Sequence, residues 1–196
     1  MDQYRTSSYL SHRRKLLRLL SAMWSDPRVQ LYRNHNLPII KELAEGSVFL
    51  AGPTSRHQIL EHNWRCLAVY YLRRAGFRGY IYVPEPHGQE QSGDFTEKSF
   101  IHYWESSRLN DAKCVAFWIP RKADELLGLN TNLELGIFLG KYSNLSKEEK
   151  EKKLFIGWPR DAERMGLPHH YAHELGEHRI YQEIKQLCEA IAQQMI

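Results

Sequence analysis

The sequence predicts an α/β protein in which a parallel β-sheet is covered by helices on both faces. Three observations lead to this prediction. Short apolar segments alternate with longer segments of helical periodicity, and Gly or Pro directly follows each short segment. The short segments are almost continuously apolar, which is typical of strands buried on both faces. With 196 residues, of which 42% are hydrophobic and 26% charged, the chain is long enough to bury one full core.

The predicted strands are the apolar segments at 48–51, 80–83, 114–119 and 154–158. Each has the usual length of a strand in a globular protein. Gly or Pro ends each one because neither residue continues a sheet ladder well.

The predicted helices are the segments at 62–74, 100–109, 133–141 and 179–195. The first stops at Ala75 and Gly76, where Gly76 is a natural C-terminal cap. The last carries an apolar stripe that includes Ile184, Leu187 and Ile191. The strongly charged segment 147–153 is predicted to be a loop.

Residues 1–46 are predicted to form a basic helical N-terminal extension, and residues 47–196 the α/β domain. The extension holds eight Lys/Arg and four Asp/Glu, whereas the domain holds nineteen of each, so the net charge of +4 lies in the extension. A cluster at 12–15 has the basic composition of a nucleic-acid contact. Apolar residues interleave with it at helical spacing and no base-reading motif accompanies it, so a solvated helix face is favoured and nucleic-acid contact is not expected.

Cysteine content and hydropathy indicate a cytoplasmic protein. The three cysteines, Cys66, Cys114 and Cys188, show no CxxC spacing, so neither a disulfide framework nor a thiolate zinc site is predicted. The first residues are polar, and no uninterrupted apolar run reaches the roughly 18 residues that would span a bilayer. We therefore expect reduced thiols, no signal peptide and no membrane segment.

Six short motifs lie at the predicted strand ends and helix starts, where ligands bind in parallel α/β sheets. They are FLAGPT at 49–54, WR at 64–65, VPE at 83–85, WE at 104–105, FWIPR at 117–121 and TNLELG at 131–136. In this order the segment from about 48 to 158 resembles the nucleoside 2-deoxyribosyltransferase-like family. The resemblance implies a flavodoxin-like (Rossmann-like) three-layer sandwich, a small-molecule nucleoside or nucleotide as substrate, and chemistry at the N-glycosidic bond. It implies no metal and no organic cofactor.

Glu134 matches the family nucleophile, and Glu105 is the acid that the resemblance places near the base. Breaking a glycosidic bond develops positive charge on the sugar, which one carboxylate stabilises or captures, while a second acid assists the leaving group. Alone, Thr131 followed by Glu134 is also a capping-box pattern, with Thr131 as N-cap, so capping is an alternative. Asp111 competes with Glu105, but its position at a helix end suggests a capping or surface role.

The predicted substrate-binding set consists of Gly52, Pro53, Thr54, Arg56, Arg65, Trp118 and Asn132. The Gly-Pro-Thr turn is expected to hold the sugar, and the two arginines a phosphate if the substrate is a monophosphate. For both arginines, surface solvation or a salt bridge is an equal alternative. Trp118 is the tryptophan chosen to stack on a base, although Trp64, Trp104 and Trp118 are each suited to core packing.

Two features of the sequence are not explained by the family resemblance. In the transferases proper an aspartate commonly stands six residues before the nucleophile, and this sequence has Gly128 there, which leaves base specificity and transfer open. The segment 169–178 gathers four histidines and two glutamates. It matches neither HExxH nor HxxEH, so a polar loop is favoured over a metal site.

Two functions of different classes remain. The first is an enzyme that cleaves or transfers the N-glycosidic bond of a (deoxy)nucleoside or its 5′-monophosphate through a covalent glycosyl-enzyme intermediate. The second is a non-catalytic nucleotide-binding module that senses a ligand in the same pocket. The sequence leaves open transfer or hydrolysis, purine or pyrimidine, ribose or deoxyribose, and whether the chain forms a homo-oligomer.

Overall fold

A computed structural model describes residues 2–31, 46–54, 63–84, 95–174 and 179–195. The strands are β1 (Val29–Leu31), β2 (Ser47–Ala51), β3 (Tyr80–Val83), β4 (Cys114–Trp118), β5 (Leu154–Gly157) and β6 (Ile180–Tyr181). The helices are α1 (Asp2–Ser25), α2 (Trp64–Arg74), α3 (Phe95–Asp111), α4 (Leu129–Tyr142), α5 (Lys147–Lys153), α6 (Gly166–Glu174) and α7 (Ile184–Met195). Among the residues described here, no helix combines the length and apolarity that crossing a bilayer would require.

All six described strands run parallel in one sheet, in the order β1-β3-β2-β4-β5-β6. The last five of these positions reproduce the 2-1-3-4-5 order of flavodoxin-like folds, and β1 adds one strand beyond β3. The predicted fold class is therefore confirmed. The direction of the strand order reverses between β2 and β4, where such sheets open a crevice for ligands.

Side chains alternate along each strand and build two hydrophobic clusters, one on each face of the sheet. In β2, Val48 and Leu50 face one cluster, whereas Phe49 and Ala51 face the other. The first cluster is completed by α1, α2 and α7, and the second by α3, α4 and α6. The sheet is thus the middle of three layers.

Local signals explain where several helices begin and end. Asn63 is the N-cap of α2 and accepts a hydrogen bond from the Cys66 amide at 3.2 Å. The chain leaves α2 through Ala75 and Gly76, whose φ of +94° favours glycine. The prediction of a loop at 147–153 is wrong: these residues form α5, because Ser146 and Glu149 make a capping box at its start.

The first 46 residues contribute a strand as well as a helix. Leu16 and Met23 of α1 are buried in the cluster that α2 completes, and β1 pairs with β3. Asp26, between α1 and β1, accepts a hydrogen bond from Arg73 of α2 at 2.7 Å. The sequence analysis did not predict β1, and the division of the chain at residue 46 stays a prediction.

Two further boundaries differ from the predicted ones. The helix that carries Glu134 begins at Leu129 rather than Leu133, because Gly128 caps it. The last helix begins at Ile184 rather than Arg179, since Ile180 and Tyr181 pair with β5 as strand β6.

Candidate functional site

A cavity of about 270 Å³ opens at the point where the strand order reverses. Turns that follow β2, β3 and β4 and the first turns of α4 bring its residues together. The described residues that line it are Phe49, Ala51, Gly52, Pro53, Thr54, Arg65, Pro84, Glu105, Leu127, Gly128, Leu129, Asn130, Thr131 and Glu134. Six of the predicted site residues are in this set, namely Gly52, Pro53, Thr54, Arg65, Glu105 and Glu134.

The turn after β2 forms one wall, and its glycine is required by close packing. A Cβ at Gly52 would lie 2.6 Å from Cζ2 of Trp64 and would also overlap the carbonyl oxygen of Trp118. The indole Nε1 of Trp64 donates a hydrogen bond to the Pro53 carbonyl at 3.0 Å. Trp64 therefore supports the turn from behind, and it does not line the cavity.

Arg65 holds the same turn from inside the protein. The side chain is 1% exposed. Its Nε donates to the Leu50 carbonyl at 3.1 Å, its Nη2 to the Gly52 carbonyl at 2.6 Å and its Nη1 to Oγ1 of Thr54 at 3.0 Å. Surface solvation of Arg65, one of the two alternatives, is thereby excluded.

The start of α4 forms the opposite wall. Gly128 is its N-cap, with φ of +63° in the left-handed region, and no side chain caps the helix. The capping-box alternative for Thr131 and Glu134 is therefore wrong, because Thr131 lies inside the first turn and Glu134 lies six residues beyond the cap. Glu134 is left to face the cavity.

Burial and charge together perturb Glu134. Desolvation, the larger cause, and the negative charge of Glu105 together raise the pKa of its carboxyl from the ordinary 4.5 to about 7. The guanidinium of Arg65 opposes both effects. Desolvation and a like charge each disfavour the ionised form, whereas an opposite charge favours it. A strongly perturbed carboxyl in a cleft is a typical property of a reactive group.

Glu105 reaches the cavity from α3, which packs on the same face of the sheet as α4. The residue is half-buried, and its neighbour Trp104 is buried against Phe49 with ring centroids 6.5 Å apart. Asp111, the competing acid, is the last residue of α3, is exposed, and accepts a hydrogen bond from Ser107 at 3.1 Å. The expected surface role of Asp111 agrees with this position.

Two members of the predicted binding set lie away from the cavity. Trp118 is 5% exposed and packs in the core cluster on the α2 and α7 side, where a Cβ at Gly157 would come within 2.9 Å of its ring. Its side chain points to the face opposite Glu134, because alternate residues of β4 face opposite sides of the sheet. Trp118 is thus a core residue, which corrects the prediction of base stacking.

Asn132 is the second predicted binding residue that lies away from the cavity. It is exposed on α4, and its Oδ1 accepts a short hydrogen bond from Nη2 of Arg121. Arg121 is 3% exposed and also donates from Nη1 to the Arg164 carbonyl at 3.0 Å. Burial lowers the pKa of Arg121. Asn132 therefore ties α4 to the loop after β4. Arg56 lies outside the described residues.

The histidine-rich segment is helical where the structure describes it, so the prediction of a polar loop is wrong for 169–174. The rings of His169 and His173, one turn apart in α6, stack with centroids 6.5 Å apart. Among the described residues, no three His, Cys, Asp or Glu side chains are grouped to hold a metal ion. Residues 175–178 lie outside the description.

Several cavity residues were not predicted from the sequence. Leu127, Gly128, Leu129 and Asn130 line it, yet the sequence analysis treated Gly128 only as a missing aspartate. A glycine directly before a helical segment is a usable signal, since it marks a position of positive φ.

A family model described as "Nucleoside 2-deoxyribosyltransferase like" matches residues 45–146, just over half of the chain. The match covers β2 to α4 and thus every described residue that lines the cavity. A comparison with curated proteins gave no match.

Proposed function

Because the chain belongs to the nucleoside 2-deoxyribosyltransferase-like family, we propose that it cleaves or transfers the N-glycosidic bond of a (deoxy)nucleoside or nucleoside 5′-monophosphate. In this proposal Glu134 is the nucleophile, and the reaction passes through a covalent glycosyl-enzyme intermediate. Family membership supports a nucleoside-modifying activity, and the finer assignments are our proposal.

One observation carries the proposal. Glu105 and Glu134 come from different helices, yet both line one cavity at the switch point of the sheet, and each affects the ionisation of that site. Two carboxyl groups in one enclosed site resist carrying two negative charges, so the site retains a proton near neutral pH. A retained proton and one carboxylate are what glycosidic bond cleavage needs.

The proposed first step uses both groups. The Glu134 carboxylate attacks C1′ and forms an ester bond to the sugar, while the bond between C1′ and the base nitrogen breaks. In the reactive form, the one proton that the two carboxyl groups share lies on Glu105, and Glu134 is ionised. The electron pair of the broken bond leaves with the base, which takes this proton from Glu105.

The second step releases the sugar. A second base, or water, attacks C1′ and displaces the Glu134 carboxylate. Glu105 accepts the proton that the acceptor loses, and the site returns to its starting state. Transfer and hydrolysis differ only in this acceptor.

The test is chromatographic detection of free base from a panel of ribo- and deoxyribonucleosides and their 5′-monophosphates, with and without an acceptor base. We expect wild type to release base, and Glu134→Ala to lose at least about a thousandfold in rate, the order of effect for removal of a covalent nucleophile. Dependence on the acceptor base would distinguish transfer from hydrolysis.

Glu174→Gln is the matched control, since Glu174 is exposed on α6 and away from the cavity. It should leave the rate unchanged. Full activity in Glu134→Ala would eliminate the nucleophile assignment. Saturable ligand binding without base release from any substrate would favour the sensing module.

We also propose that two copies of the chain pair through α4. Leu129, Leu133 and Ile137 recur every fourth residue along this helix and are 62%, 69% and 56% exposed. A Cβ at Gly136, which is exposed on the same helix, would meet no atom within 4 Å. The exposed residues of α4 before Lys141 are uncharged. An apolar ridge beside a glycine gap is complementary to itself, as a two-fold interface requires.

Light scattering tests this pairing. We expect wild type to be a dimer and Leu133→Glu a monomer. Leu167→Glu, a similar change at a 65% exposed position on α6, should leave the dimer intact. A wild-type monomer at micromolar concentration would contradict the proposal.

A further inference from the structure

Arg65 is a buried cation at the boundary between the cavity and the core. It lines the cavity, although its side chain is almost completely withdrawn from solvent. Among the described lining residues, Arg65 carries the one positive charge, and Glu105 and Glu134 carry the two carboxyl groups. Burying a charge is costly unless it is paired and hydrogen-bonded, so its contacts indicate what it does.

The guanidinium is held in one orientation. Three hydrogen bonds from different nitrogens reach the Leu50 and Gly52 carbonyls and the Thr54 hydroxyl, and the guanidinium carbon lies 4.6 Å from the ring centroid of Trp64. A planar group with fixed donors, supported on one face by an aromatic ring, has little freedom to turn toward a ligand. At least three of its five N–H groups are thereby committed to the protein rather than to a ligand.

The hydrogen bond from Arg65 to Thr54 determines whether the Thr54 hydroxyl acts toward a ligand as a donor or as an acceptor. Because Oγ1 of Thr54 accepts a hydrogen bond from Arg65, its own hydrogen is directed elsewhere. Thr54 is exposed and lines the cavity. Its hydroxyl is therefore presented to the cavity as a donor, suited to an oxygen of the substrate.

Arg65 and Glu134 line the same cavity, and the effect of Arg65 on Glu134 is electrostatic. Arg65 opposes desolvation and the Glu105 charge at Glu134 and so favours the carboxylate over the acid. Glu105 and Arg65 are the described charged groups that act on Glu134. Among the described residues, Arg65 is the cation that favours the ionised form that the proposed nucleophile needs.

From this geometry we infer that Arg65 is a positioning residue that presents Thr54 as a hydrogen-bond donor and keeps Glu134 in the reactive carboxylate form. This inference rests on the proposed function only for its consequences in turnover. The ionisation of Glu134 in the free protein does not depend on any substrate.

The first experiment is an NMR titration of ¹³C-labelled glutamate side chains, in which Glu134→Gln identifies the Glu134 signal. In Arg65→Met we expect the titration midpoint of Glu134 to rise by about one unit. Arg73→Met is the matched control, because Arg73 is also a hydrogen-bonded arginine of α2 but contacts Asp26 and the carbonyls of Phe77 and Gly79. It should leave the midpoint in place. An unchanged midpoint in folded Arg65→Met would overturn the inference for Glu134.

The second experiment separates kcat from KM. If the midpoint of the free protein moves from 7 to 8, the ionised fraction at pH 7 falls from a half to about a tenth. The value of kcat/KM should then fall about fivefold for nucleosides and monophosphates alike, and recover as pH rises. A structural role alone would not move this pH profile. A loss confined to KM for monophosphates would instead identify a phosphate contact and overturn the inference.

Arg65→Lys and Thr54→Val cover the case in which Arg65→Met fails to fold. Arg65→Lys retains the charge, so the midpoint should stay close to that of wild type, while kcat falls because the fixed donor to Thr54 is lost. Adding Thr54→Val to Arg65→Lys should then cause no further loss, whereas full kcat in Arg65→Lys would overturn the inference for Thr54. If no substrate releases base, the titration still decides the role of Arg65, and only the proposed function fails.

Discussion

Gly128 lies directly against Pro53, so the helix that carries Glu134 starts in contact with the turn after β2. A Cβ at Gly128 would be 3.0 Å from Cβ of Pro53, and the backbone has φ of +63° there. Two independent requirements, positive φ and a close approach, therefore fall on one residue. This contact joins the two walls of the cavity.

Gly128→Ala should destabilise the protein by about 1–2 kcal/mol, the cost of placing an L-residue in the left-handed region, and the contact with Pro53 should add to it. Urea denaturation measures this change. Gly140→Ala is the control: Gly140 is exposed inside the same helix with open space around it, so this substitution should stabilise the protein by up to about 1 kcal/mol. Equal effects of the two substitutions would contradict the role of Gly128.

The activity should depend on the ionisation of Glu134. Desolvation and Glu105 raise its pKa to about 7, and the nucleophile must be ionised. We expect kcat/KM to fall about tenfold for each pH unit below 7, which a pH profile on the best substrate of the panel would show. A rate that is flat from pH 5 to 7 would mean that a different group limits the reaction.

Stability should also depend on the pH through Glu134. Its pKa is higher in the folded protein than the ordinary 4.5, so the folded state holds the proton more tightly, and stability is lost as pH rises from about 4.5 to about 7. Glu134→Gln removes this effect. Because Glu134 is half-buried, we expect the free energy of unfolding of the variant at pH 9 to exceed that of wild type by on the order of 1–2 kcal/mol.

Denaturation at pH 4 and pH 9 would check this difference. At pH 4 the advantage of Glu134→Gln should be almost gone, since the wild-type carboxyl is then largely protonated in both the folded and the unfolded state. Glu174→Gln, at an exposed position, should show no such dependence on pH. An equal advantage at both pH values would show that burial of the charge is not its cause.

Trp118 should contribute to stability rather than to recognition of the base. It is buried in the core cluster and absent from the cavity wall. Trp118→Phe should therefore lower the free energy of unfolding by roughly 1–3 kcal/mol, while KM for each substrate changes less than about twofold. A large change in the preference among bases would restore the stacking hypothesis.

Elements with a strong local pattern were predicted, and those without one were missed. β2, β3, β4 and β5 were found within one residue at each end, because each is an apolar run followed by Gly or Pro. β1 and β6 have only three and two residues, which are too few to show a periodic pattern. They form strands because β1 pairs with β3 and β6 pairs with β5. The helix α5 is an exception. It has a local signal, the capping box of Ser146 and Glu149, but its many charged residues favoured the prediction of a loop.

The sequence by itself determined the four central strands, their parallel arrangement and, through the family resemblance, the choice of Glu105 and Glu134. The tertiary structure decided what surrounds those glutamates: Arg65, Glu105 and Glu134 come from three helices, and only the packing of those helices sets their burial and mutual charge. The tertiary structure also decided that Trp118 is buried in the core, whereas Glu134 faces the cavity. The reason is that hydrophobic periodicity is local, whereas desolvation and Coulomb interaction depend on distances in space.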